Sequence, residues 1–111
     1  MIDASEIKLD FAKMGGLLPA IVQDNASKEV LMLGFMNEAA WEKTLRTGMV
    51  TFWSRQRQTL WTKGETSGHH LAVRSIWVDC DEDTLLIQAT ANGPICHTGE
   101  RTCFYREVSR A

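Results

Sequence analysis

"LAVRSIWVDCDEDTLLIQAT", Leu71 to Thr90, decides how the chain is read. Two apolar runs rich in β-branched residues, Leu71–Val78 and Thr84–Thr90, flank a short acidic segment. This pattern predicts two strands joined by a turn. Asp79, Asp81, Glu82 and Asp83 crowd around Cys80 in that turn. Like charges this close repel and raise one another's pKa values, so the turn calls for a positive partner.

Upstream, "LLPAIVQD" (Leu17–Asp24) and "EVLMLGFM" (Glu29–Met36) are short apolar runs with Asn25, Ala26 and Ser27 between them, the pattern of a β-hairpin. "NEAAWEKTLRTG" (Asn37–Gly48) predicts a helix. Asn37 is the expected N-cap, Glu38 suits the positive N-terminal end and Gly48 supplies the stop. Trp41 and Leu45, four apart, are expected on one face. "MVTFWSR" (Met49–Arg55) predicts a strand, and the polar stretch that follows, with Gly64, Ser67 and Gly68, a loop. Asn92-Gly93-Pro94 signals a turn, and "CFYREV" (Cys103–Val108) a last strand. The expected fold is α+β: one compact, mostly antiparallel domain over residues 1–111 with at least one helix.

Twelve basic and fourteen acidic residues among 111 give a net charge of −2, which argues against general nucleic-acid binding. The apolar content of 44% argues against disorder. "MIDASEIKLDF" lacks a basic region followed by an apolar run, so no signal peptide is expected. No apolar run is long enough to span a membrane, and a cytoplasmic location is expected. Three cysteines, an odd number, argue against a disulfide framework.

Fifteen residues separate Cys80 from Cys96 and six separate Cys96 from Cys103, which matches no zinc knuckle. Spacing alone favours inert packing thiols. Their settings point elsewhere, because all three lie beside polar loop residues. Three cysteines equal the number of protein ligands at a catalytic zinc, and a ligand donated by a partner subunit would account for the spacing. Asp79, Asp81 and Asp83 alternate. In an extended backbone they share one side, with Cys80 on the other. One turn would then offer oxygen to Mg²⁺ and sulfur to zinc. An exposed acidic turn without metal is the alternative, and Glu82, which breaks the alternation, is expected to face solvent. Arg55, Arg57 and Lys63 are candidates for binding phosphate, with Glu65 and Ser67 shaping the loop around a ligand. A solvated surface loop is the alternative there. Trp53 and Trp61 suit a core. His97, beside Cys96, is the first candidate for a proton carrier and His69 the second, while His70 is a bystander.

Three segments, "WSRQRQTLWTKGETSGH", "VDCDEDTLL" and "GPICHTGERTCF", occur here in an order that resembles the phosphoribosyl-AMP cyclohydrolases of histidine biosynthesis. The upstream "LLPAIVQD" and "VLMLGFMNEAAWEKTLRTG" are similar to the same family. The resemblance implies a β-rich roll or barrel-like α+β fold in an interwound cytoplasmic homodimer. It implies hydrolysis of phosphoribosyl-AMP at the N1–C6 bond of its adenine ring by zinc-activated water, giving the formimino-AICAR ribotide. It also implies zinc between subunits, with Cys80 matching a ligand from one and Cys96 and Cys103 ligands from the other. Asp79, Asp81 and Asp83 match magnesium ligands. Gln56, Ile95 and Thr102 depart from the residues usual in the family, and none removes a ligand type. With no room for the pyrophosphohydrolase domain of some members, a single-activity form is expected.

Two other readings compete. A zinc nucleobase deaminase requires H-x-E and P-C-x-x-C, and neither occurs. A non-catalytic module stabilised by zinc, or a repurposed homologue, is the remaining alternative.

Overall fold

The computed structural model describes residues 1–110. β1 (Leu18–Asp24) and β2 (Val30–Met36) form the expected hairpin, with Leu18 opposite Met36 and a bulge at Val22/Gln23. Its turn is tied by Asp24 Oδ2, which accepts from the Ser27 backbone N–H at 2.7 Å and the Ser27 hydroxyl at 2.9 Å. α1 (Glu38–Thr47) is capped as predicted. Asn37 Oδ1 accepts from the Ala40 N–H at 2.8 Å, and Gly48 ends the helix in the left-handed region. Trp41 and Leu45 lie one turn apart, but only Trp41 is buried. Ala40, Trp41 and Thr44 point inward while Leu45 is exposed. Thr44 takes the inner position because its hydroxyl donates to the Ala40 carbonyl at 2.9 Å and accepts from the Thr51 N–H at 3.0 Å.

The polar middle is not all loop. β3 (Thr51–Ser54) is shorter than the predicted Met49–Arg55 strand. It turns back into β4 (Thr59–Thr62), with Phe52 opposite Trp61. β5 (Leu71–Val78) and β6 (Leu85–Ala91) form the expected antiparallel pair around the acidic turn. Cys103–Val108 forms no strand among the described residues. The segment meets the edge of β2 only at its start, where the Cys103 N–H donates to the Leu31 carbonyl, and one bond does not make a ladder.

The four long strands form one sheet in the order β2-β1-β6-β5. All of its pairings are antiparallel except β1–β6, which is parallel. β3 and β4 form a separate two-stranded sheet. The fold is α+β and mostly antiparallel, as expected, but the larger sheet stays open at β2 and β5. No closed barrel forms among the described residues.

One face of the large sheet carries Leu18, Ala20 and Val22 of β1 and Leu85, Ile87 and Ala89 of β6, all fully buried. Ala40 and Trp41 of α1, Val50 and Phe52 belong to the same core. Removing such side chains from water contributes about 1.5–3 kcal/mol for each large one. Phe52 fits only because Gly34 of β2 lacks a side chain: a Cβ there would lie 2.5 Å from the ring. The opposite face carries a polar ladder across three strands. Ser75 Oγ donates to Gln88 Oε1 at 2.7 Å, and Gln88 Nε2 donates to Gln23 Oε1 at 3.0 Å. No helix of the described residues is long and apolar enough to cross a membrane.

Candidate metal and substrate site

The acidic turn joins β5 to β6 and is not extended. It curls back on itself, with Glu82 in the left-handed region at φ 62° and half-exposed rather than fully in solvent. Asp79 Oδ1 closes the turn, accepting from the backbone N–H groups of Asp83 at 3.0 Å and Thr84 at 3.2 Å. The three aspartates converge as expected, with ligand oxygens within 4.8 Å of one another, but by curling rather than by strand alternation. Among the described residues this is the one cluster of three or more potential metal ligands. Its donor set, carboxylate oxygen alone, fits a hard cation such as Mg²⁺.

Lys13 supplies the positive partner, 68 residues away in sequence. Its Nζ lies 2.6 Å from Asp83 Oδ2 and 2.9 Å from Asp81 Oδ2. Asp83 is held well below the usual carboxylate range, first by Lys13 and then by a hydrogen bond with Asp79. Lys13 is raised above its ordinary value by Asp83 and Asp81.

Cys96 and Cys103 come together at the other end of β6. Ile95 is buried in the core at 1% exposure and anchors the loop just before Cys96. The Cys96 N–H donates to the Glu100 carbonyl at 3.1 Å and the Gly99 N–H to the Cys96 carbonyl at 3.0 Å, so the chain doubles back toward Cys103. Thr102 fixes the second cysteine. Its hydroxyl donates to the Val30 carbonyl at 2.7 Å while the Cys103 N–H donates to the Leu31 carbonyl at 2.8 Å. The two thiols are close enough to act on each other, and their pKa values are shifted in opposite directions. Thr98 Oγ1 donates to Cys96 Sγ at 3.0 Å and lowers its pKa, aided by the Thr98 backbone N–H. Partial desolvation of its sulfur raises Cys103, although the residue as a whole is exposed. Paired thiols, one of them disposed to ionise, fit a zinc ion.

Cys80 is exposed and does not join them. Cys103 is tied to β2 while Cys80 follows β5, and these are the two outer strands of the sheet. Three strand spacings amount to about 14 Å. Sulfurs sharing one zinc lie at about 2.3 Å from it. Within this one chain the three cysteines therefore form no common site.

Beside Cys96 opens a cavity of about 310 Å³ whose lining includes Trp61, Lys63, Ser67, His69 and His97. Lys63 Nζ sits over the Trp61 ring, 5.2 Å from its centroid. Ser67 Oγ accepts from the His69 N–H at 3.2 Å. The His69 ring lies against Gly93, where a Cβ would come within 2.5 Å of Cδ2. Asn92 straps the same loop, accepting from the His70 N–H at 2.6 Å and donating to the Gly68 carbonyl at 3.1 Å. His70 points its Nδ1 toward the Lys63 carbonyl at 3.2 Å, outside the cavity lining.

Of the other predicted ligand-binding residues, Arg55 lines a different cavity, of about 530 Å³, with its guanidinium 4.1 Å above the Phe35 ring. Trp61 lines both cavities. Arg57 and Glu65 are exposed and line neither. Sequence reasoning missed Lys13, Thr98, Asn92 and Gly93. Asn92 and Gly93 belonged to a recognised turn signal, and Thr98 lies two residues from Cys96. Lys13 carried no local signal.

Residues 32–105 match the family model described as phosphoribosyl-AMP cyclohydrolase. A protein of that name from Desulfatibacillum aliphaticivorans is 60% identical over 103 residues, covering 92% of this chain and 82% of the relative. The histidine biosynthesis bifunctional protein HisIE of Staphylococcus aureus is 58% identical over 104 residues, covering 94% of this chain and 49% of the relative. Its counterpart in Bacteroides thetaiotaomicron is 62% identical over 98 residues, covering 88% and 48%. The chain thus spans about half the length of the bifunctional relatives it matches. A match across two thirds of the sequence, containing all three cysteines, the three aspartates and both cavity histidines, places the chain in the phosphoribosyl-AMP cyclohydrolase family.

Proposed function

We propose that residues 1–111 form a cytoplasmic phosphoribosyl-AMP cyclohydrolase that opens the adenine ring at the N1–C6 bond in histidine biosynthesis. The observation that carries this reading is the paired Cys96 and Cys103 thiols beside a cavity that also gathers His69, His97 and Lys63. Cys96 and Cys103 of one chain hold zinc together with Cys80 from a second copy, since one chain alone keeps Cys80 apart. Zinc supplies an activated water near neutral pH. His97 carries the proton that the leaving N1 atom requires, and His69, held by Gly93 and Ser67, is placed to assist. Lys63 meets one phosphate of the substrate. Arg55 and Arg57, outside this cavity, are candidates for the other, and Glu65 shapes the loop. Asp79, Asp81 and Asp83 hold magnesium.

The test is turnover of phosphoribosyl-AMP by the purified protein before zinc removal, after it, and after zinc is restored. The expected outcome is activity that disappears and returns with zinc while the protein stays folded. A zinc-loaded, folded protein without turnover would sink the reading. Unfolding on chelation without turnover at any stage would favour the non-catalytic zinc module.

A further inference from the structure

We propose that Lys13 is a built-in competitor for the divalent cation of the acidic turn, so that metal binds there only by displacing its ammonium group. The proposal rests on the reading that Asp79, Asp81 and Asp83 hold a divalent cation. Lys13 Nζ contacts Oδ2 of both Asp81 and Asp83, at 2.9 Å and 2.6 Å. A cation bridging these carboxylates would sit about 2.0–2.1 Å from its oxygens if it is Mg²⁺. It would then occupy the space of the ammonium and repel it.

The lysine is delivered rather than wandering. It lies in the short 3₁₀ segment Phe11–Met14, whose Asp10 Oδ1 accepts from the Lys13 N–H at 3.2 Å. The Asp10 N–H in turn donates to the Glu82 carbonyl at 2.8 Å, docking the segment on the same turn. The ammonium is therefore present at high effective concentration wherever the turn is folded. Its side chain remains 48% exposed, so it can swing into water when a stronger cation arrives.

The experiment is a calorimetric titration of Mg²⁺, and separately Mn²⁺, into the zinc-loaded protein. It compares wild type with Lys13→Gln, Lys13→Arg and Lys43→Gln. The last removes the same charge from α1, which has no ion pair with the turn. Lys13→Gln should tighten binding roughly two- to fivefold, the scale of a lost exposed ion-pair competitor. Lys13→Arg and Lys43→Gln should stay within about twofold of wild type. Equal affinity in Lys13→Gln and wild type would overturn the competition alone, as would an equal gain in Lys43→Gln. If no variant binds either cation, both the competition and the divalent site are lost.

Discussion

Thr98 and desolvation act in opposite senses on the two paired sulfurs. The Thr98 hydroxyl favours the Cys96 thiolate and partial desolvation disfavours that of Cys103. Thr98→Val should move the Cys96 titration upward, toward the ordinary thiol value. Alkylation of zinc-free protein at neutral pH should then slow several-fold at Cys96. Zinc affinity should fall by about 10–100-fold, the usual scale for an outer hydrogen bond to a ligand. Thr98→Ser, which keeps the donor, should restore both. Mass-spectrometric alkylation rates and a zinc competition assay measure the two effects. The Lys13–Asp83 pair has a pH signature of its own. Asp83 is depressed in the folded state, so its contribution is present above about pH 4 and fades as pH falls through the lower folded value. Lys13 is raised, so its contribution is present below about pH 10 and fades as pH rises through the higher folded value. Lys13→Gln should therefore differ most from wild type in melting temperature between these limits, and the two curves should converge in strong acid. At this scale the ligand types were legible, because Cys80, Cys96, Cys103 and the aspartates announce their chemistry. Their partners were not, since Lys13 reaches the turn only through the fold.

Among the elements, the β1–β2 hairpin, α1 and the β5–β6 pair were readable because each carries its own punctuation: a polar turn, an Asn cap with a terminal Gly, an acidic reversal. β4 was hidden because only Leu60 and Trp61 of its four residues are apolar, and it exists by pairing with β3. The opposite error fell on Cys103–Val108, where strand-forming residues touch the edge of β2 at Cys103 and then continue without a ladder. Gly34 shows how closely the two sheets meet. Gly34→Ala should cost about 1–3 kcal/mol by urea unfolding, because Phe52 must leave its place against β2. Gly93→Ala should act on turnover rather than stability, by displacing the His69 ring from the cavity wall. A loss of kcat with an unchanged melting temperature would bear this out, and unchanged kcat would remove His69 from the mechanism.

For the whole molecule, the separation of Cys80 from Cys96 and Cys103 requires two chains at each zinc, if zinc is shared as proposed. Cys80→Ala and Cys96→Ala should each be inactive alone. Mixed, unfolded and refolded together in equal amounts, they should recover about a quarter of wild-type turnover, because half the dimers are mixed and each of those retains one intact site of two. No recovery would mean that the three cysteines do not meet across a two-fold interface. The parallel β1–β6 pairing bears on how the chain is made. Gln23 and Gln88, joined across it, lie 65 residues apart, while β1 and β2 meet through a short turn. During synthesis the hairpin can close early, leaving the other edge of β1 bare until β6 leaves the ribosome. Contacts this distant form slowly, and an unpaired strand edge invites pairing with another chain. Translation stalled before Leu85 would release a fragment whose central strand is open to aggregation, so the stretch of message that encodes β6 protects the product of the stretch that encodes β1.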